Sequence, residues 1–399
     1  MNRNTLKASF GALAIAGLFS LSSCHPDPDP VVALTDYCGD VSVPTTWTNN
    51  REGVDYRVGC TFTISSDMVI EEGTEIEFKN GTGIIVGTGG SLMVKGTASN
   101  MVTLHGMSGG GSWLGLWFQS NSVNNELTYC TVTDGGQESF NGHDIKANVR
   151  LSLNGKLGIT YTTIANSGRD GLYIEGLDDA HDNPIRIFNN NMFSNNDNYP
   201  ISTVATTITK FDGTNSTYAG NGNSNIEVRG GTLFGTHTWL KNTIPFLVTG
   251  EVRAGYYDSV GNLVINAGVT MKFINDFGIT VGEYSAGYLR MVGTAAEHIT
   301  LMSGDANAWQ GVCFQSTNSM NLLSYVDISK GGSLAFTGAS TKKGNIVIGG
   351  FSAGDADIQN CTVNNSAAYG IFVAQGSSAP TLSGVTYSGN AQANYYVEP

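Results

Sequence analysis

The sequence predicts an all-β solenoid in which one stretch of the chain occurs twice. Residues 68–136 are echoed by residues 263–332, and matched positions lie 195 to 197 apart, as in the pairs Phe78 and Phe273, Gly96 and Gly293, and Trp113 and Trp309. A register held over about seventy residues is typical of an internal duplication. Short apolar–polar alternations broken by Gly, Asn and Ser fill both copies, and no helical periodicity appears beyond the first 23 residues.

Composition supports many short strands joined by tight turns. Glycine accounts for 52 of 399 residues, and charged residues make up only 13% of the chain. Because Gly and Asn favour turns while Val, Ile and Thr favour strands, this balance is typical of an all-β repeat protein. The formal net charge of −13 excludes nucleic acid as a partner, since phosphate binding needs clustered Lys and Arg.

The N-terminus has the pattern of a bacterial export signal. Arg3 and Lys7 precede an apolar run that is too short to span a bilayer. Leu21-Ser22-Ser23-Cys24 resembles the lipobox of bacterial lipoproteins, and this resemblance implies an acylated Cys24. We therefore expect a signal peptide over residues 1–23, and a lipidated cysteine with a Pro/Asp tether over residues 24–40. The protein is then expected at the outer membrane or cell surface, with the lipid anchor as its only membrane contact.

A train of short strands fits a sandwich, a propeller or a solenoid, and the turn chemistry favours the solenoid. Strands in the two copies end at matched asparagines, Asn166 and Asn365, and are followed by matched glycines, Gly171 and Gly370. Asparagine tolerates the left-handed backbone conformation and can form ladders when identical corners stack.

Four recurring units resemble the right-handed parallel β-helix, the pectate-lyase-like superfold, and in particular its lipoprotein repeat proteins. The units start at Gly73 and Gly268, at Gly96 and Gly293, at Trp113 and Trp309, and at Leu127 and Leu323. The resemblance covers residues 41–399 and implies one continuous single-stranded β-helix with half-repeats at about 45–233 and 237–399. It implies little about function, because one fold hosts many activities.

Candidate contact residues are those that differ between the two copies or gather acidic groups. Trp117 lies between two inward-facing residues, so its ring should point outwards, where an exposed aromatic could stack on a sugar or anchor a partner. Packing beneath a neighbouring loop is the alternative. The other candidates are Asp134, Asp170, Tyr173, and the loop carboxylates Asp178, Asp179 and Asp182. Outward strand positions and turns are often polar without any function.

The six cysteines predict one disulfide at most and no metal site. Cys38 and Cys60 flank the first folded segment and are a candidate disulfide pair. Cys130, Cys313 and Cys361 lie in strand-like runs and should be small apolar fillers. No zinc spacing occurs, and no cofactor is predicted; calcium is the only metal that the acidic loop would suit.

Three functions are compatible with this pattern. The favoured hypothesis is a non-catalytic, lipid-anchored envelope or surface protein that binds a glycan or a protein along its β-helix face. The second is a polysaccharide lyase or hydrolase acting on an acidic polysaccharide, for which no catalytic constellation can be assembled. The third is a structural or adhesive spacer. The sequence favours a non-enzyme without deciding the question, and it does not indicate an oligomeric state.

Overall fold

The computed structural model describes residues 34–107, 113–142, 144–152, 154–176, 183–211, 213–336 and 343–399. These residues belong to one compact unit, Leu34–Pro399. Cys24, Asp178, Asp179 and Asp182 lie outside the described residues, as does the predicted signal peptide.

The N-terminal half of the unit is built from short strands. They are β1 Asp36–Tyr37, β2 Thr45–Trp47, β3 Tyr56–Val58, β4 Phe62–Ile64, β5 Asp67–Glu71, β6 Glu75–Phe78, β7 Gly83–Val86, β8 Ser91–Lys95, β9 Val102–Gly106, β10 Gly115–Phe118, β11 Glu126–Thr128, β12 Cys130–Thr133, β13 Ala147–Leu151, β14 Leu157–Thr160, β15 Thr163–Ala165, β16 Asp170–Ile174, β17 Ile185–Asn189, β18 Met192–Ser194, β19 Ile201–Thr203 and β20 Thr217–Ala219. Two 3-10 helices, Phe140–Gly142 and Ala205–Lys210, interrupt them.

The C-terminal half continues in the same way. Its strands are β21 Ile226–Val228, β22 Gly231–Leu233, β23 Gly235–Trp239, β24 Phe246–Val248, β25 Val252–Tyr256, β26 Gly261–Asn266, β27 Thr270–Phe273, β28 Gly278–Glu283, β29 Tyr288–Val292, β30 Ile299–Ser303, β31 Gly311–Phe314, β32 Leu322–Ser324, β33 Val326–Ser329, β34 Gly344–Ile348, β35 Asp357–Gln359, β36 Thr362–Asn364, β37 Tyr369–Val373, β38 Thr381–Ser383, β39 Thr386–Ser388 and β40 Tyr395–Val397.

These strands form five parallel sheets. Sheet 1 is β1-β3-β6-β9-β12-β15-β18-β20, and sheet 3 is β2-β5-β8-β11-β14-β17. Sheet 4 is β22-β25-β28-β31-β34-β37-β40, and sheet 5 is β23-β26-β29-β32-β35-β38. Sheet 2 takes every third strand from β4 to β19 and then from β21 to β39. Each coil thus adds one strand to each of three sheets. This confirms the predicted all-β parallel β-helix with two tandem half-repeats; parallel crossovers are right-handed with few exceptions.

Alternation of apolar and polar residues places the core inside the coils. Along β9, Val102, Leu104 and Gly106 are buried while Thr103 and His105 are partly exposed. Repeating this pattern coil after coil yields one continuous apolar core that extends from Val41 to Val373. Because each strand pairs in register with its neighbours, identical faces stack into columns along the solenoid axis.

A buried asparagine fixes the coil at the equivalent point of each copy. Asn148 Oδ1 accepts the backbone N–H of Gly135 at 2.7 Å, and Asn345 Oδ1 accepts that of Gly331 at 2.6 Å. Both asparagines are fully buried. An unpaired buried backbone donor costs about 1–3 kcal/mol. The asparagine side chains avoid this cost, because they accept the backbone N–H groups that the turns themselves do not pair.

The two copies are rotated relative to one another by one face of the solenoid. Strands β5, β6 and β7 lie in sheets 3, 1 and 2, whereas their sequence counterparts β26, β27 and β28 lie in sheets 5, 2 and 4. The helix Ala205–Lys210 follows β19 of sheet 2 and precedes β20 of sheet 1, so it occupies the position of a sheet 3 strand. When this helix is counted as one face of a coil, the chain between two matched strands makes seven full coils and then one further face. Matched strands therefore lie one face apart.

Candidate functional site

Trp117 lies on the outer face of sheet 2, but a loop covers it. Its indole packs with Leu114, Ile85 and Phe140 in a small apolar cluster outside the main core, and only 8% of the residue is exposed. The Arg150 guanidinium carbon lies 4.2 Å from the ring centroid, and Trp117 Nε1 donates to Ser152 Oγ at 2.6 Å. The ring is therefore occupied by contacts within the chain.

Asp170 and Tyr173, both on β16, make polar contacts within the chain. Asp170 is 3% exposed and accepts hydrogen bonds from the Tyr199 backbone N–H at 3.1 Å and from Asn198 Nδ2 at 2.9 Å. Burial raises the pKa of its carboxyl to about 6. The Arg229 guanidinium carbon lies 4.0 Å from the Tyr173 ring centroid.

The two arginines of the sheet 2 face, Arg150 and Arg229, bind groups of the same chain. Arg229 donates to Ser202 Oγ and to the Ile174 carbonyl, and Arg150 forms an ion pair with Glu175. The pairing register aligns Trp117, Arg150 and Tyr173 across neighbouring strands. Sheet 2 thus brings Trp117, Arg150 and Tyr173 to one face, and Asp170 lies at the start of β16 with its own partners Asn198 and Tyr199.

Asp134 is separate from these contacts. It occupies the left-handed corner after β12, with φ 66°, and its Oδ1 accepts from Asn166 Nδ2 at 3.2 Å.

The cysteines also serve the scaffold. Cys38 and Cys60 form a disulfide. Cys130, Cys313 and Cys361 are buried free thiols, and burial raises the pKa of Cys130 to about 12 and of Cys361 to about 11.

A cavity of about 740 Å³ opens at the corner between sheets 4 and 5. This corner cavity is lined by residues 284–286, 315–318 and 352–353. Tyr284, which is 45% exposed, forms one wall, and the other lining groups are hydroxyls, amides and alanine methyls. None of the lining side chains carries a formal charge. The cavity is shallow and open to solvent over much of its extent.

Hydrogen bonds between neighbouring coils hold the corner cavity in shape. Gln315 Oε1 accepts the Phe351 backbone N–H at 2.9 Å, and Asn318 Nδ2 donates to the Ala286 carbonyl at 2.7 Å. These contacts tie the coil of β31 to the coils before and after it. The hydroxyls of Thr317 and Ser352 line the cavity and make no side-chain hydrogen bond to another described residue, so they remain open to a ligand.

Extra residues in the second copy create this cavity. Val86 to Leu92 spans six positions, whereas the matching Val281 to Leu289 spans eight and contains Tyr284. Two coils later the corner before β35 is again two residues longer than its counterpart before β14, and it contains Phe351. Both enlargements fall on the corner between sheets 4 and 5, and the cavity lies between them.

Three exposed aromatic residues, Tyr257, Tyr284 and Phe351, lie along this corner in different coils. We call them the aromatic ladder. The Tyr257 and Tyr284 ring centroids are 5.4 Å apart, and those of Tyr284 and Phe351 are 5.1 Å apart. Tyr257 is 55% exposed and Phe351 45% exposed. Sequence reasoning missed these residues, although the change of offset from 195 at Phe78 to 197 at Gly96 marks the first enlarged corner.

The described part of the chain contains neither a cluster of metal-ligating side chains nor a membrane-spanning helix. No group of three or more His, Cys, Asp or Glu side chains there could hold a metal ion. None of its helices has the length and apolar character needed to cross a bilayer. Neither a protein-family model, nor a curated protein, nor a solved structure shows significant similarity to the chain.

Proposed function

We propose that this protein is a lipid-anchored envelope or surface protein that binds a glycan in its corner cavity without catalysing a reaction. The cavity is the observation that carries the proposal. It combines one aromatic wall, Tyr284, with an uncharged lining of hydroxyl and amide groups. A sugar presents an apolar C–H face and a rim of hydroxyls, so it can stack on an aromatic ring while it exchanges hydrogen bonds with neutral polar groups.

The non-catalytic part of the proposal rests on the same lining. Glycoside hydrolysis requires a pair of carboxyl groups at the scissile bond, and elimination from a uronate requires a positioned base. The lining contains Ser, Thr, Asn, Gln, Ala and one Tyr. Its polar groups are thus suited to recognition, with no carboxylate pair for acid–base chemistry.

The anchoring part rests on the N-terminal sequence. Leu21-Ser22-Ser23-Cys24 resembles a lipobox, and HPDPDP over residues 25–30 suits an extended tether between lipid and solenoid. The Cys38–Cys60 disulfide supports export, because structural disulfides persist in oxidising compartments.

The cavity is tested by replacing Tyr284 with asparagine, which tolerates the left-handed backbone there (φ 55°). Against an array of purified bacterial and plant polysaccharides, we expect Tyr284→Asn to lower the affinity for bound glycans at least tenfold, about 1.4 kcal/mol. Tyr161→Asn is the matched control, since Tyr161 is 44% exposed and has φ 50° but lies far along the chain from the cavity residues. Equal effects of both variants, or no glycan bound by the unaltered protein, would refute the proposal.

The anchor is tested separately by Cys24→Ala. We expect this change to abolish incorporation of a labelled fatty acid in a host that processes lipoproteins, because Cys24 would be the acylated residue. Retained labelling would contradict the anchor and leave the glycan proposal untouched.

A further inference from the structure

We propose that the ligand is a neutral, linear glycan whose chain runs along the solenoid axis, with sugar rings over the aromatic ladder and one end in the corner cavity. This inference rests on the proposed function and deepens it, by naming the charge class of the ligand and the direction in which it lies.

The ladder provides the direction. The planes of Tyr257 and Tyr284 differ by 17°, and those of Tyr284 and Phe351 by 29°. The ring centroids are 5.4 and 5.1 Å apart, whereas stacked rings in van der Waals contact are separated by about 3.6 Å. Each ring is therefore displaced sideways from the next by roughly 3.5–4 Å. The rings therefore form a staircase, and the three residues remain 45–55% exposed to solvent.

The chain topology orients this staircase. Tyr257 follows β25 and Tyr284 follows β28, which are adjacent strands of sheet 4. Phe351 follows β34, two coils beyond β28. Because coils stack along the axis at about 4.8 Å, the ladder runs along the axis and past the corner cavity. A linear glycan would place successive rings over successive steps.

The surrounding charges determine the class of glycan. Glu283 precedes Tyr284 in the chain, and the exposed Asp258 follows Tyr257. The nearby cation Arg253 is engaged by two carboxylates, with its Nη2 2.5 Å from Glu251 Oε2 and its Nε 3.7 Å from Glu283 Oε2. A uronate or sulfated chain would approach these carboxylates while Arg253 is already paired with two of them, and low salt increases the cost of the repulsion.

The phenol of Tyr284 remains neutral as well. Desolvation, with smaller contributions from Tyr257 and Glu283, raises the pKa of Tyr284. Its hydroxyl therefore stays protonated at physiological pH and can donate to a sugar oxygen.

Calorimetric titration of the full-length protein tests this inference. The probes are neutral β-linked gluco-, manno- and xylo-oligosaccharides of two to six residues, and oligogalacturonates of the same lengths. We expect a neutral series to bind, with affinity rising at least tenfold between the shortest and the longest member, and the oligogalacturonates to bind at least tenfold more weakly at low salt. Tyr257→Asn should remove most of the gain with length, because it deletes the outer step. Tyr161→Asn should leave this gain unchanged.

The possible failures are distinct. Tighter binding of oligogalacturonates would overturn the neutral class, and affinity independent of length or of Tyr257 would overturn the orientation; the proposed glycan-binding function would survive both results. If no glycan of any class bound, the proposed function and this inference would both be refuted.

Discussion

Replacing Trp309 by alanine should lower the free energy of unfolding by about 3–5 kcal/mol, the cost typical of deleting a fully buried aromatic side chain. Trp309 is completely buried. Its indole stacks on Phe273 with ring centroids 4.1 Å apart, and its Nε1 donates to the Ser329 carbonyl at 2.7 Å. The change removes the apolar burial, the ring contact and the partner of a backbone carbonyl at once.

The duplication supplies an internal replicate of this experiment. Trp113 is equally buried, stacks on Phe78 at 4.0 Å and donates to the Thr133 carbonyl at 2.8 Å. Trp113→Ala should therefore cost a similar amount in urea or thermal unfolding followed by circular dichroism. Tyr257→Asn, at an exposed corner, should stay within about 0.5–1 kcal/mol. A cost below 1 kcal/mol for both tryptophan variants would contradict the described core.

Asp170→Asn should stabilise the protein at neutral and alkaline pH. Burial raises the pKa of Asp170 from 3.8 to about 6, so between these values the folded state binds more protons than the unfolded state. Its stability must then fall as the pH rises through this window. A shift of about two units corresponds to roughly 3 kcal/mol at most, and asparagine retains the acceptor for Asn198 and Tyr199 without the buried charge.

The expected result is a variant that is more stable than the unaltered protein by roughly 1–3 kcal/mol at pH 8. At pH 4 the difference in stability should be much smaller, because the carboxyl is then largely neutral in the folded state and only about half ionised in the unfolded chain. Denaturant titrations at the two pH values provide the measurement, with the pH 4 comparison as the control. A variant less stable than the unaltered protein at pH 8 would show that the Asp170 charge stabilises the fold.

The local pattern was sufficient to predict the scaffold. Ile76 and Phe78 are buried on β6 while Glu77 pairs with Arg57 on the outer face, as the alternation predicts. Asn166 and Asn365 both adopt φ 52°, as expected for corner asparagines. These features depend on neighbours in sequence and on stacking of like coils, both of which a single sequence contains.

The candidate site was less predictable, because its parts are distant in sequence. Trp117 is outside the coil, as its alternation indicates, but contact with Phe140 from another part of the chain determines whether it is accessible. Tyr284 and Phe351 lie 67 positions apart in the chain, and two coils bring their rings within 5.1 Å of one another. The enlarged corners were visible only as small changes in the repeat offset.

The sequence alone determined that this protein is a duplicated all-β solenoid, because strand alternation, corner residues and repeat spacing are local properties. Only the tertiary structure decided how the copies face one another. Between matched strands the chain makes seven coils and one further face, with the 3-10 helix Ala205–Lys210 in the position of a sheet 3 strand, so the second copy is turned by one face. Stacking of the coils then places the enlarged corners on one edge, where Tyr284 lines the cavity and Phe351 stacks on Tyr284.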